Sequence, residues 1–573
     1  MLKPQNNFYR TMISLNGVWE YSKVCQTPEQ GFVPEGKLAV PASWNEQHND
    51  LYHHKGRLWY QYRFTVPALP CGKRALLRFS GLLYRAEFFF NGEKLGEDNT
   101  GLMPVEFDVT EKLSPEGNLL VVGVDGDRSE SQSIGHGDFY EYGGIHRPVT
   151  LEIVEEKRII DLKAETTAAG DLKLRWKSSG GSEIRFSVNG QKALFSVADG
   201  KGEMKISGVT PWSPDDPKLY ALTAELLDGD RVCDTYILKT GFRTFEVAGR
   251  ALLLNGQKCR LDGFCRHEDF YVIGKGVNDA LNIRDFELMK WCGANSFRTS
   301  HYPYCEEILE LADELGFMVI DELPFSSLKQ DQMADKELQA HARIMVQRLI
   351  DRDFNHPSVV SWSLGNECQI EAPESEEFFR IVSEEVRKAD PVRPTTLVGF
   401  TRPGEDHAYK FADIIGINRY YGWYGYPQWG NPGEPGDLTR AIELLEAELD
   451  KFHELIEKPF LISEFGADCV AGHHSMFTLQ FTEEFQAEFL KRYIKHFQSR
   501  SDVAGMHIWH FADFSTNQIP LRVQGNRKGI FSRNREPKIA AFAVRQAWTG
   551  QDGLGLQPLG ESRNTETFLP PGQ

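Results

Sequence analysis

The sequence predicts a multidomain chain: two β-sandwiches, the second immunoglobulin-like, followed by a (β/α)8 TIM barrel. Three observations predict it. Up to about residue 245 the chain reads as short alternating strands divided by turn signals. From about residue 246 short apolar strands alternate with long amphipathic helices, the signature of βα units. Eight candidate strands can be counted in that second part, which has the usual length of a β/α barrel.

The elements follow in chain order. In residues 1–156, runs such as Leu76–Ser80, Arg85–Phe90 and Asn118–Val122 are separated by Asn91-Gly92 and Glu116-Gly117. In residues 157–245, Leu172–Trp176 and Ile184–Val188 alternate inward and outward, and Asn189-Gly190 is a strong hairpin signal because both positions tolerate positive φ. Residues 246–549 carry the barrel, with strands near Leu261, Phe297, Val319, Val360, Leu397, Ile415, Leu461 and Met506. One helix places Ile308, Leu311, Ala312 and Leu315 on one face. Another carries Phe481, Phe485, Phe489, Tyr493 and Phe497 at intervals of four, read as core packing. Residues 550–573, rich in Gly and Pro, read as a disordered tail.

Composition narrows the function. Hydrophobic residues are 41% and charged residues 25%, so the chain folds. A formal net charge of −18 argues against nucleic acid, whose binding rests on basic patches. The same charge repels anionic ligands, so any anion site has to be built locally. The nine cysteines lack CxxC or CxxH spacing, which points to reduced thiols in a cytoplasm and away from disulfides or zinc. Met1–Arg10 is polar and lacks an apolar signal-peptide core, and no run approaches 18 apolar residues, so no membrane partner is expected.

Two carboxylates stand out. Strand four runs Val359–Gly365 and continues into Asn366-Glu367; strand seven runs Phe460–Ser463 and continues into Glu464. A charged residue directly after a buried strand needs a reason, since desolvating a carboxylate is costly. One such Glu could be an ion pair capping the barrel; two, on strands whose ends face each other across the mouth, favour catalysis. Glycoside hydrolysis uses such a pair, held about 5–5.5 Å apart when configuration is retained. After strand eight, Arg522, Asn526 and Lys528 lie within seven residues. A carboxylate accepts about four hydrogen bonds and prefers charged donors, so this loop suits a sugar acid. Arg527 and Arg533 read as the solvated part of the same loop.

Asn366-Glu367, Ser463-Glu464-Phe465-Gly466 and Ser300-His301-Tyr302-Pro303 resemble glycoside hydrolase family 2, over residues 1 to about 549. The resemblance implies a jelly-roll-like sugar-binding first domain, Glu367 as acid/base, Glu464 as nucleophile and Asn366 on the sugar 2-hydroxyl. Asn526-Arg527-Lys528 matches the Asn-x-Lys motif of that family's β-glucuronidase group, which binds the C6 carboxylate. Asn418–Tyr424, Gly505–Phe514 and Asp138–Arg147 match as well. They imply Asp138, His301, Asn418, Trp509 and Arg522 as sugar contacts, Tyr420 beside the nucleophile and Tyr424 near the carboxylate. The expected activity is exo-acting, retaining release of β-D-glucuronic acid from small-molecule β-glucuronides, by a homo-oligomer, often a tetramer. A related exo-glycosidase for β-galacturonides or β-galactosides, and a catalytically silent carbohydrate-binding protein, remain alternatives. No cofactor and no metal are expected: His301-x4-Glu306 and His473-His474 lack zinc spacing. His267 reads as a core histidine. Cys368 stands where a Pro is common in the family, and Phe465 where a Tyr is frequent. Leu323–Asp335, after strand three, is short and polar, so no long lid is expected over the aglycone side.

Overall fold

The computed structural model describes residues 2–127, 137–425 and 435–551. The first domain is a sandwich of a six-stranded and a four-stranded antiparallel sheet, with a small three-stranded sheet beside them. Its long strands Arg57–Phe64 and Asn118–Asp125 pair antiparallel over their whole length. Alternate residues turn inward, so Trp19, Tyr60, Phe79, Phe88 and Phe90 form one core. The second domain packs a three-stranded sheet on a four-stranded one around Trp176, Phe186 and Leu222. Asn189 and Gly190 both take positive φ, 48° and 75°, at the expected hairpin between Glu183–Val188 and Gln191–Ser196.

The third domain is a closed barrel of eight parallel strands. They are β1 (Leu261–Cys265), β2 (Ser296–Arg298), β3 (Met318–Glu322), β4 (Val359–Asn366), β5 (Thr395–Gly399), β6 (Ile414–Asn418), β7 (Phe460–Glu464) and β8 (Val503–Ile508). Pairing of β8 with β1 closes the circle. Each strand contains the residue near which the sequence places it. The regularity fails once: β5 and β6 are joined through a single 3-10 turn, Tyr409–Phe411, and no α-helix. The connection carries Arg402-Pro403-Gly404, which interrupts any helical period.

The start of the barrel is plugged. Leu261, Met318, Val360, Ile414 and Leu461, near the first residues of their strands, pack with Trp212, Phe245 and Leu252 of the preceding segments. Only the C-terminal ends of the strands are left to form a site. The helix Glu306–Leu315 buries Ile308 and Ala312, with Leu311 and Leu315 half-buried at the edge of the core. In the helix Glu483–Ser499, Phe485, Phe489, Tyr493 and Phe497 are buried. Phe481 falls outside that helix and is 42% exposed, so the aromatic stripe is one residue shorter than its period suggests.

Ion pairs fasten the first domain to the barrel. Arg78 bonds Glu306 at 2.7 Å, both buried, so Glu306 is engaged there and not with His301. Arg533 is not a solvated loop residue: it reaches Asp269 at 2.5 Å and Glu46 of the first sandwich at 2.7 Å. Arg527 is half-buried too, bonding Asp513 at 3.3 Å and the Val523 carbonyl at 3.1 Å. The segment after β3 is short but not wholly polar, since Leu323, Phe325, Leu328 and Met333 are buried beneath it. The tail expected to be disordered lies, from residue 552 on, outside the described residues.

Candidate active site

Asp138, His301, Asn366, Glu367, Asn418, Tyr420, Tyr424, Glu464, Trp509, Arg522, Asn526 and Lys528 all line one cavity of about 280 Å³ at the mouth of the barrel. Glu464 ends β7 and Asn418 ends β6, while Glu367 follows the last residue of β4. The chain turns sharply at Glu367, whose φ is +50°. That conformation costs a non-glycine residue about 1–2 kcal/mol. Bonds from the Glu367 N–H to Val398 O and from Asn366 N–H to Phe325 O, both 2.9 Å, hold it in place. The glycine of Ser-Glu-Phe-Gly is explained by crowding: a Cβ on Gly466 would meet the Trp509 carbonyl at 1.8 Å.

The two carboxyls have different partners. Glu464 accepts one bond from Arg298 at 2.6 Å and one from the Tyr420 hydroxyl at 2.7 Å. Glu367 accepts from the Asn418 amide at 2.7 Å. Asn418 is itself fixed, because its Oδ1 accepts from Ser463 at 2.8 Å. Burial raises Glu367, and burial followed by the charge of Glu367 pushes Glu464 up to about 8. Two buried carboxyls that repel each other titrate as a pair and keep one proton between them near neutral pH. The partners decide where it sits. A guanidinium and a hydroxyl stabilise the anion on Glu464, and a single neutral amide does much less for Glu367. These partners favour the anion on Glu464 and the shared proton on Glu367.

Arg298 is wholly buried, and its other nitrogen bonds both oxygens of Glu322, at 2.9 and 2.8 Å. Glu322 also takes the His301 Nδ1 at 2.9 Å, which leaves Nε2 toward the cavity, 3.9 Å from Glu464. The imidazole stacks on Trp509 at 5.1 Å, and burial lowers its pKa. His267 is a buried neighbour of these rings, bonded to Tyr302 at 3.0 Å and outside the cavity lining.

The loop after β8 forms the opposite wall. Lys528, 1% exposed, donates to the Tyr424 hydroxyl at 2.7 Å and to Asp468 at 2.5 Å. Arg522 donates to Tyr424 at 2.8 Å and to Asp138 at 2.6 Å, and Asn526 donates to Asp138 at 2.8 Å. Asp138 comes from the first sandwich, so that domain completes the wall. Burial works to raise Asp468, but Lys528 and Arg522 hold it below the ordinary carboxylate value.

Sequence reasoning missed Arg298, Glu322 and Asp468, and also Ser326, Ser327 and Phe400 of the lining. Arg298 and Glu322 are charged residues ending β2 and β3, so the argument applied to Glu464 could have found them. Asp468 carries no local signal. Cys368 is buried with its thiol pushed up to about 12 by burial, and Phe465 stacks on Tyr493 at 5.6 Å. The Cys368 thiol bonds the Phe325 carbonyl at 3.5 Å. Among the described residues no cluster of His, Cys, Asp and Glu is arranged to hold a metal ion.

A barrel whose mouth holds two buried, mutually repelling carboxyls with different partners defines a two-carboxylate glycosidase. The comparisons with known proteins name the family. "Glycosyl hydrolases family 2, sugar binding domain" matches residues 12–154, "Glycosyl hydrolases family 2" residues 149–243, and "Glycosyl hydrolases family 2, TIM barrel domain" residues 245–552. The chain belongs to glycosyl hydrolase family 2. It is 35% identical to a β-glucuronidase of Paenibacillus borealis, over 96% of this chain and 98% of that one. It is similar in structure to the β-D-glucuronidase of Dictyoglomus thermophilum, with TM-score 0.89, 33% identity, and 96% and 99% of the chains covered. The β-glucuronidase of Bifidobacterium dentium complexed with coumarin-3-O-glucuronide gives TM-score 0.90, 32% identity, and 96% and 99% covered.

Proposed function

We propose that this chain is an exo-acting, retaining β-glucuronidase that releases β-D-glucuronic acid from β-glucuronides by double displacement. One observation carries the choice of sugar: Arg522, Asn526 and Lys528, the donors suited to a sugar carboxylate, face the same small cavity as the carboxyl pair. The β-glucuronidase relatives along nearly the whole chain support it.

In the first step Glu464 attacks the anomeric carbon. The C–O bond to the aglycone breaks, and Glu367 gives its proton to the departing oxygen. Arg298 and Tyr420 keep Glu464 ionised for this attack. Once Glu464 is esterified its charge is gone, and Glu367, now a carboxylate, takes a proton from water. The resulting hydroxide attacks the same carbon and restores Glu464. Asn366 and His301 hold the sugar hydroxyls, Trp509 forms the floor, and Asp138 closes the far side. Turnover of a panel of aryl glycosides tests this. Preference for β-glucuronide over β-galacturonide and β-galactoside is expected; preference for either of the others would overturn it.

Among the described residues no helix is long and apolar enough to cross a membrane. Nine unpaired cysteines suit a reducing cytoplasm. A homo-oligomer completes the proposal; light scattering would measure its size.

A further inference from the structure

Behind the cavity wall lies an acid that the mechanism above does not use. Asp468 is 2% exposed and is absent from the cavity lining. It lies four residues after Glu464, yet all its partners belong to the loop after β8. Its Oδ2 accepts from the Lys528 ammonium at 2.5 Å and lies 3.5 Å from the Arg522 guanidinium. Its Oδ1 accepts from the Arg527 backbone N–H at 3.0 Å. One carboxylate thus ties together three residues of the segment that holds Asn526.

The consequence for Lys528 is specific. An ammonium has three N–H donors. The Tyr424 hydroxyl takes one and Asp468 takes another, which fixes the direction of the third. The ring faces of Tyr420, Trp423 and Tyr424 surround the nitrogen at 5.8, 5.7 and 4.9 Å, leaving little water to share the charge. A buried ammonium without an anionic partner is costly. Asp138 does not serve as that partner, since it is bonded to Arg522 and Asn526.

The geometry points to Asp468 as a positioning and specificity-determining residue: it holds the Lys528 ammonium aimed at the sugar carboxylate. The inference rests on the proposed reading of the cavity as a glucuronide site. It has a cost that can be measured, because Asp468 is itself an anion near the substrate's anion and helps only through Lys528. An Asn at this position has one oxygen. It can satisfy the Lys528 ammonium or the Arg527 N–H, not both, and it supplies no charge.

The test compares the full-length wild type with Asp468→Asn, Asp468→Glu, Lys528→Ala and the double variant Asp468→Asn/Lys528→Ala, on an aryl β-glucuronide and the matching aryl β-glucoside. Preference of the wild type for the glucuronide is checked first. If that preference is missing, the reading of the site fails before Asp468 is in question. With the preference present, Asp468→Asn should raise KM for the glucuronide about 10- to 100-fold, the range for one charged hydrogen bond. Its kcat and its turnover of the glucoside should change far less. Asp468→Glu keeps the charge and should recover most of the affinity. On the Lys528→Ala background Asp468→Asn should no longer weaken glucuronide binding, and should relieve repulsion. A wild-type glucuronide KM in Asp468→Asn would overturn the proposal. So would equal losses on both sugars, or a loss that simply adds to that of Lys528→Ala.

Discussion

Replacing Lys528 by Ala should cost this enzyme its preference for the acid sugar while leaving its carboxyl pair in place. Removing one partner of a buried, hydrogen-bonded charge pair costs roughly 2–5 kcal/mol, or about 30-fold to several thousand-fold in kcat/KM. The structure narrows that range. Lys528 is 1% exposed and holds Asp468 at 2.5 Å. With the lysine gone, Asp468 keeps the Arg527 N–H and a guanidinium 3.5 Å away, and its charge faces the sugar carboxylate. The loss should therefore fall in the upper half of the range, above roughly 300-fold on a glucuronide. A neutral β-glucoside has no carboxylate to miss its partner, so its slow hydrolysis should be nearly unchanged. The assay is kcat/KM for 4-nitrophenyl β-D-glucuronide and 4-nitrophenyl β-D-glucoside on the same preparation, which separates lost recognition from damaged folding. If the variant cleaves both at the wild-type ratio, the carboxylate is read elsewhere and the assignment of the substrate loses its main support. Asn526→Ala should act in the same direction with a smaller loss, because an amide brings no charge.

The remaining predictions concern the carboxyl pair. A 2-fluoro glucuronide that traps the glycosyl-enzyme should label the peptide containing Glu464, and the released sugar should keep its β configuration by NMR; labelling at Glu367 would reverse the assignment. Glu367→Ala should lose activity according to leaving group, by about 10²–10⁴-fold where the aglycone needs protonation. With an acidic phenol it should form the glycosyl-enzyme and stall, and azide should restore turnover as a β-glycosyl azide; equal losses on every leaving group without rescue would remove Glu367 from the role. The pH profile follows from the pair. Its productive form carries one proton, and burial raises both groups above the ordinary carboxylate range, so kcat/KM should fall on the alkaline side as that proton leaves the pair. A profile flat to pH 10 would contradict the shared proton.

Much of this molecule is local in its sequence. Each barrel strand is a short apolar run, and Glu367 and Glu464 stand out because a carboxyl directly after such a run has few structural excuses. The hairpin at Asn189-Gly190 is equally local, since backbone preference at those two positions is enough to form it. Asp138, Tyr420 and Trp509 were legible only through likeness to a family, since nothing in their own neighbourhoods separates a sugar contact from a packed aromatic or a surface acid. The tertiary structure alone decided who meets whom. Arg298 reaches Glu464 across 166 residues, and Lys528 reaches Asp468 across 60. Arg533, unremarkable as a basic residue in a loop, became a clamp on Glu46 only once the first sandwich lay against the barrel. The reason is physical. A strand or turn is set by neighbours in the chain, but the charge state of a buried acid is set by the donors that folding brings within about 3 Å of it, and those donors can come from any strand end around the mouth.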